Sequence, residues 1–330
     1  MTGTATRLVI PMTVLALCSA CSAAPDPSET ASVPAASGTV TSCAAPKISP
    51  AQPTSLAGVE KITLGSETYS VELGFGAAWV QIRSPAQLVK VEQATGEVTL
   101  SVTGGVGSEV GPDAMWVSVA GLELVKIDPV SCETLLTVPA VGATYFALGL
   151  DSVWVPTENG DLLRLDEATG DLLATIETNT VLKNVAVGDD AVWATAKDND
   201  RVLRIDPATN AVVAEIPTFD KPQDLVIDEH GVWVTHDAGA GTVTLIDPGS
   251  NTVLSTVDGV GTGTGIAAGG GYIWVSTTNI GITRIDPQTY QTTPVIELPG
   301  EANYGIAYGG DELWVTSRSG WIYRVPVPPS

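Results

Sequence analysis

Two histidines, four cysteines and a scatter of tyrosines, amides and acids are the reactive or ligand-binding side chains this 330-residue chain offers. Tyr69, Tyr145, Asn184, Gln223, Asp224, His236, Asn303, Tyr304 and Arg318 fall at strand beginnings or in loops that one repeated layout would gather on a single face. Phenol rings mixed with amides, acids and a base suit recognition of a small molecule, sugar, peptide or protein, because each ring offers an apolar body with a polar edge. Tyr69, Tyr145 and Tyr304 are expected at equivalent places in that layout. No Gly-x-Ser-x-Gly elbow, paired-cysteine zinc spacing or phosphate loop stands out, and Gly261-Thr262-Gly263-Thr264-Gly265 joins two strands rather than opening a helix.

Tryptophan sets the framework that carries these side chains. Trp79, Trp116, Trp154, Trp193, Trp233, Trp274 and Trp314 lie 37, 38, 39, 40, 41 and 40 residues apart, and Val follows six of the seven. Each unit repeats a second half, as in Leu203-Arg204-Ile205-Asp206-Pro207-Ala208-Thr209-Asn210 and Thr283-Arg284-Ile285-Asp286-Pro287-Gln288-Thr289. Within a unit, four short apolar runs are separated by turn residues. A period near 40 with four strands per period predicts an all-β chain, a seven-bladed β-propeller of four-stranded antiparallel blades over residues 56–330. One blade cannot bury its faces alone, so the indoles are expected to fill the wedges between neighbours.

The recurring Asp-Pro turn has a local explanation. Asp accepts a backbone hydrogen bond two residues on and Pro presets φ, so seven acids in a ring read as turn chemistry rather than metal binding. The last unit stops after its third strand, at Val327, and Val59–Gly65 has the pattern of an outer strand. An N-terminal strand is therefore expected to complete the last blade.

The first 20 residues carry one charge, Arg7, and an apolar run from Leu8 to Leu17 that ends on small residues. That is the pattern of a secretion signal, too short to span a bilayer. Residues 21–55 are rich in Ala, Pro, Ser and Thr and predict a flexible linker. Cys18-Ser19-Ala20-Cys21 resembles the lipobox of bacterial lipoproteins; the resemblance implies export and a lipid on Cys21, with Cys18 as the other reading, and hence anchorage to the outer face of the cell membrane. Cys43 and Cys132 then remain as a disulfide or as two thiols. The net charge of −22 excludes nucleic acid as a partner and leaves membrane attachment to the lipid alone. A monomer is expected.

The Trp-Val and Arg-Ile-Asp-Pro-x-Thr runs across residues 57–327 resemble the exported YVTN-type repeat propellers and their virginiamycin B lyase-like and gluconolactonase-like relatives. The lyase resemblance implies a divalent metal with a catalytic His and Glu at one mouth of the channel. His236, after Trp233-Val234-Thr235, is expected at that mouth, whereas His230, in the turn before, faces the other end. The lactonase resemblance implies Ca²⁺ or Mg²⁺ held by oxygen ligands, for which Glu158, Asn184, Asp224 and Asn303 are the candidates. The expectation drawn is a ligand- or protein-binding module rather than an enzyme, with no catalytic residue and no cofactor; the alternative is a metal-assisted lyase or lactonase.

Overall fold

A computed structural model describes residues 52–53, 56, 58–140, 142–219, 221–237, 241–277, 281–297 and 303–327, with the backbone alone for 52–53, 263–264 and 303–304. Cys21, Cys43, the leader and nearly all of the linker lie outside these residues.

Seven antiparallel sheets form, one for each tryptophan. Their inner strands are Thr68–Gly74, Gly105–Val110, Ala147–Gly149, Asn184–Val187, Pro222–Asp228, Gly263–Gly269 and Asn303–Gly309, here numbered as blades one to seven. Six sheets run from inner to outer strand in chain order. The seventh borrows its outer strand from the other end of the chain: Glu60–Thr63 pairs antiparallel with Trp321–Pro326, Ile62 opposite Ile322. A short further strand, Gln52–Pro53, pairs outside it, so this blade has five strands and pairing begins inside the stretch expected to be linker.

Every one of the seven indoles is buried, and each sits in a separate apolar cluster that bridges two blades. Trp193 of blade four packs with Val232, Val234 and Ile246 of blade five, and Trp314 of blade seven with Val71, Ala78 and Val80 of blade one. The ring is thus closed by the same wedge that joins its interior members. Burial of each indole contributes roughly 4–6 kcal/mol as an upper bound.

Opposite most of these indoles in the third strand stands a base. Arg204 pairs with Trp193, lies 5.4 Å from its ring centroid, and donates to Asn251 Oδ1 (3.0 Å) and Pro248 O in the turn of the next blade. Arg164 makes the same pair of bonds to Asn210 and Pro207. The turn aspartates behave as local chemistry requires: Asp128, Asp166, Asp206, Asp247 and Asp286 each accept the backbone N–H two residues on. The backbone N–H or hydroxyl of the residue three places on, together with this donor, holds the five carboxyls below the usual carboxylate range.

Candidate functional site

The inner strands surround a channel of about 760 Å³. What each strand presents to it follows from pairing with the tryptophan strand. The residue seven places before each tryptophan lies opposite it and lines the channel: Glu72, Glu109, Ala147, Ala186, Val226, Ala267 and Ala307. Five of the seven are small or β-branched apolar residues, whereas blades one and two carry glutamate.

Two residues earlier along the strands stands a second, more polar layer. It holds Ser70, Tyr145, Asn184 and Asp224, with glycine in the remaining three blades. A hydroxyl two residues after the tryptophan fixes this layer. Thr195 Oγ1 accepts the Asn184 N–H (3.0 Å), Thr235 Oγ1 the Asp224 N–H (3.2 Å) and Thr316 Oγ1 the Gly305 N–H (2.7 Å). Thr316 also donates to Tyr69 O (2.9 Å) and Thr195 to Gln223 O (3.3 Å), each in the next blade, so one side chain sets both a local bend and an interblade contact. In blade one Gln81 takes this place and bonds Ser70 and Val106 O instead.

Asp224 is the most heavily supported side chain of the channel. Its Oδ1 accepts from Asn184 Nδ2 of the preceding blade and from the Leu225 N–H, and its Oδ2 from the Ile266 N–H of the following blade at 3.3 Å. Burial nevertheless wins over these donors and over the nearby Lys183 charge, and raises the Asp224 pKa to about 6. Glu72 and Glu109 reach the lumen but are ringed by protein. Burial, and for Glu72 the Asp224 charge, lifts Glu72 to about 8; burial with the charges of Glu72 and Asp224 pushes Glu109 well above the carboxylate range.

Toward the mouth, the Tyr69 and Tyr145 hydroxyls bond each other at 2.7 Å, and Lys183 Nζ lies 4.1 Å from the Tyr145 ring centroid. Burial and Tyr145 raise Tyr69 to about 12, burial raises Tyr145, and burial lowers Lys183. Lys197 bridges Gln223 Oε1 (3.0 Å) and Asp237 (2.6 Å), while Arg318 lies 3.9 Å from Glu67.

Of the residues expected on this face, Tyr69, Tyr145, Asn184, Gln223, Asp224 and Arg318 line the channel. Asn303 and Tyr304 lie on the blade-seven inner strand, with their side chains outside the described residues. His236 is placed differently. It is fully buried within blade five, its Nε2 against Thr244 Oγ1 at 2.8 Å, because it ends the second strand, and the inner strand that pairs with it at Pro222 lies between it and the channel. His230 holds Asp228, which also accepts the Trp233 indole N–H, at the other end of the blade. The three tyrosines are not register equivalents either: Tyr69 and Tyr304 stand ten residues before their tryptophans and Tyr145 nine. Cys132 is disulfide-bonded, and its proposed partner Cys43 lies outside the described residues.

Of the oxygen-ligand set, Asn184 and Asp224 come together, Glu158 stands elsewhere, and the Asn303 side chain lies outside the described residues. Asn184 donates to Asp224, and its own Oδ1 accepts from the Val185 N–H. Glu158 does not line the channel, and among the described residues no three His, Cys, Asp or Glu side chains gather as a metal would require. The residues the sequence reading missed, Glu72 and Glu109, are visible once each inner strand is counted back from its tryptophan.

No family model and no curated protein matches the sequence. Solved structures do. Virginiamycin B lyase from Staphylococcus aureus aligns with a TM-score of 0.71 at 15% identity over 82% of this chain and 99% of that one. A streptogramin B lyase aligns at 0.71 and 17% identity, over 82% and 97%. A catalytically inactive form of the Staphylococcus aureus enzyme, solved with Quinupristin, aligns at 0.69 and 15%, over 82% and 99%. Identities this low speak for the fold and not for conserved chemistry. They do overturn the expectation that the chain is more a binding module than an enzyme, since the architecture is shared with two lyases along nearly their whole length. The chain is a seven-bladed β-propeller structurally related to the virginiamycin B lyase-like propellers.

Proposed function

We propose that the chain is a lyase acting in its channel, with Asp224 as general base and Lys183 as general acid. The observation that carries this reading is the Asp224 carboxylate: enclosed, oriented by Asn184 and two backbone N–H groups, and raised to about 6. A carboxylate with that pKa is ionised at neutral pH yet basic enough to take a proton, which is the balance general base catalysis needs. Its Oδ2 carries a single hydrogen bond and so keeps a lone pair for the task. Lys183, lowered by burial, is an ammonium that gives up its proton more readily than a solvated one.

In the elimination, a substrate C–H proton passes to Asp224 and its electron pair becomes the new C=C bond. The adjacent C–O bond breaks, and the leaving oxygen takes a proton from Lys183. Proton exchange with water restores both groups. The fold shared with two lyases supports the reaction class, and the chemistry rests on this chain's own channel residues. Export by the N-terminal segment and a lipid on Cys21 would place the enzyme, as a monomer, on the outer face of the membrane.

Purified mature protein should be offered Quinupristin and simple lactones, with products followed by mass spectrometry. Elimination opens a cyclic ester without change of mass, whereas hydrolysis adds one water. Asp224→Asn is expected to lower turnover by about 10²–10⁴-fold. Undiminished turnover in that variant, or products heavier by one water, would contradict the assignment.

A further inference from the structure

We propose that Tyr145 is a third catalytic residue of the channel: its hydroxyl donates to the substrate carbonyl oxygen on which negative charge grows as Asp224 takes the neighbouring C–H proton, and Tyr69 is the positioning residue behind it. The inference rests on the elimination assigned above, and it adds the group that holds the developing charge.

Blade three departs from the repeat at this residue. The inner strands of blades one, five, six and seven run for seven residues, that of blade three for three, beginning only at Ala147. In a regular blade Tyr145 would stand within the strand, as Asn184 and Asp224 do at the same place in theirs. Instead Ala143 O accepts from Ser118 Oγ, and the Thr144 carbonyl leans over blade two, where Gly107 makes room: a Cβ there would collide with Thr144 O. The consequence is a contact between blades that are not neighbours. Tyr145 of blade three meets Tyr69 of blade one across the mouth of blade two, hydroxyl to hydroxyl at 2.7 Å. A cation lies near each ring, Lys183 Nζ 4.1 Å from the Tyr145 centroid and Arg83 Cζ 5.1 Å from that of Tyr69. Local departures from an otherwise consistent pattern concentrate at functional sites.

The donors gathered here are short of acceptors. Among the described residues the Lys183 ammonium has neither a hydrogen bond nor an ion pair, although burial already disfavours its charge. The Tyr145 hydroxyl makes one bond, to Tyr69, of the two or three open to a phenol. Tyr145, Asn184 and Asp224 occupy one lumen layer on three consecutive blades, and blades two, six and seven carry glycine there, which leaves the space in front of the three side chains open. Burial raises the Tyr145 pKa, the Tyr69 bond opposes the rise and the Asp224 charge adds to it. The phenol is thus within electrostatic reach of the base, and Tyr69 acts on it as a donor, which frees the Tyr145 proton for a ligand.

A hydrogen on carbon is far less acidic than the carboxyl that must take it, so the negative charge produced needs a donor of its own. The C–H electron pair forms a C=C bond to the carbonyl carbon, the carbonyl π pair moves onto oxygen, and that oxygen accepts from Tyr145. When the oxygen pair returns to re-form C=O, the C=C pair shifts to the next carbon and the C–O bond there breaks, its oxygen taking the proton of Lys183. Lys183 lies against the Tyr145 ring, so the two donors stand side by side.

Two measurements on the full mature protein test this. 4-Nitrophenolate carries an oxyanion and nitrobenzene does not. Unmodified protein should bind the phenolate about tenfold or more tighter, and Tyr145→Phe should weaken the phenolate about tenfold or more while leaving nitrobenzene unchanged. γ-Butyrolactone has C–H beside its carbonyl and no leaving oxygen on the next carbon, so in D₂O it reports proton removal alone. Deuterium uptake, followed by mass spectrometry, should fall about 10²–10³-fold in Tyr145→Phe. Unchanged phenolate affinity in that variant, or equal affinity of unmodified protein for the two aromatic probes, would overturn the proposal, and the second comparison stands even if the variant fails to fold. Exchange preserved by Tyr145→Phe and abolished by Asp224→Asn would sink this inference alone. A phenolate preference that depends on Tyr145, without exchange or turnover by any form, would sink the base assignment alone and leave Tyr145 as a donor to ligand oxygen.

Discussion

Asn184 donates its side-chain N–H to Asp224 Oδ1 across the boundary between blades four and five. One hydrogen bond therefore joins two repeats and favours the ionised form of a channel carboxylate against the burial that opposes it. Removing a donor from the ionised form favours the neutral form, so Asn184→Ala should raise the Asp224 pKa above its present value of about 6. The acidic limb of the kcat/KM profile should move upward by about one pH unit or more, given about 1.5–3 kcal/mol for a hydrogen bond to a charged group. A limb that stays in place in the variant would show that Asp224 is not the group being read.

The same carboxyls make stability depend on pH in an unusual sense. Asp224 and Glu72 titrate higher in the fold, at about 6 and about 8, than their ordinary values of 3.8 and 4.5, and Glu109 is displaced the same way. Through this window the folded state binds more protons than the unfolded one, so stability falls as pH rises. Melting temperature should be higher at pH 6 than at pH 9, and Glu72→Gln with Glu109→Gln should flatten the difference. The turn aspartates, shifted down, act oppositely and only in more acidic solution. A profile that climbs from pH 6 to 9 would be incompatible with this account.

Trp193 is almost completely buried against blade five. Trp193→Ala should cost about 3–5 kcal/mol in urea unfolding, as large core aromatics do. Arg204→Ala removes two bonds into the next blade and should cost about 1–3 kcal/mol, with Lys a poor substitute because the site uses the planar guanidinium. A near-neutral Trp193 variant would argue against the wedge as the source of cohesion.

Ring closure can be tested by deletion. Removing residues 56–65 takes away Ile62 and Leu64, both buried in the cluster of Trp314, and exposes the edge of Trp321–Pro326. The truncated protein should melt well below the intact one and lose cooperativity. Equal melting of the two proteins would refute a closing role for the strand.

The N-terminal cysteines make separate predictions. Cys21→Ser should abolish incorporation of labelled palmitate and release the protein from membranes. Non-reducing peptide mapping should recover Cys43 joined to Cys132, and Cys132→Ser should then lower stability by about 2–4 kcal/mol. Palmitate retained by the Cys21 variant, or a Cys132 peptide joined elsewhere, would reject the respective assignment.

The architecture is legible in the chain because it is written in short-range repeats. The tryptophan interval counts the blades, Asp206-Pro207 and its counterparts close their hairpins, and the missing last strand together with Val59–Gly65 gives the closure. Each of these is local patterning read many times over, so an irregularity in one unit does little harm. The channel was decided by tertiary structure. Glu72 and Glu109 look like ordinary strand residues until seven inner strands converge and put both, with Asp224, into one low-dielectric space. His236 failed as a mouth residue for the complementary reason: it stands on the second strand, with the inner strand between it and the channel. Proximity between residues over 150 positions apart, as in Glu72 and Asp224, comes only from closing the circle, and the circle also removes the water that would otherwise keep their charges apart.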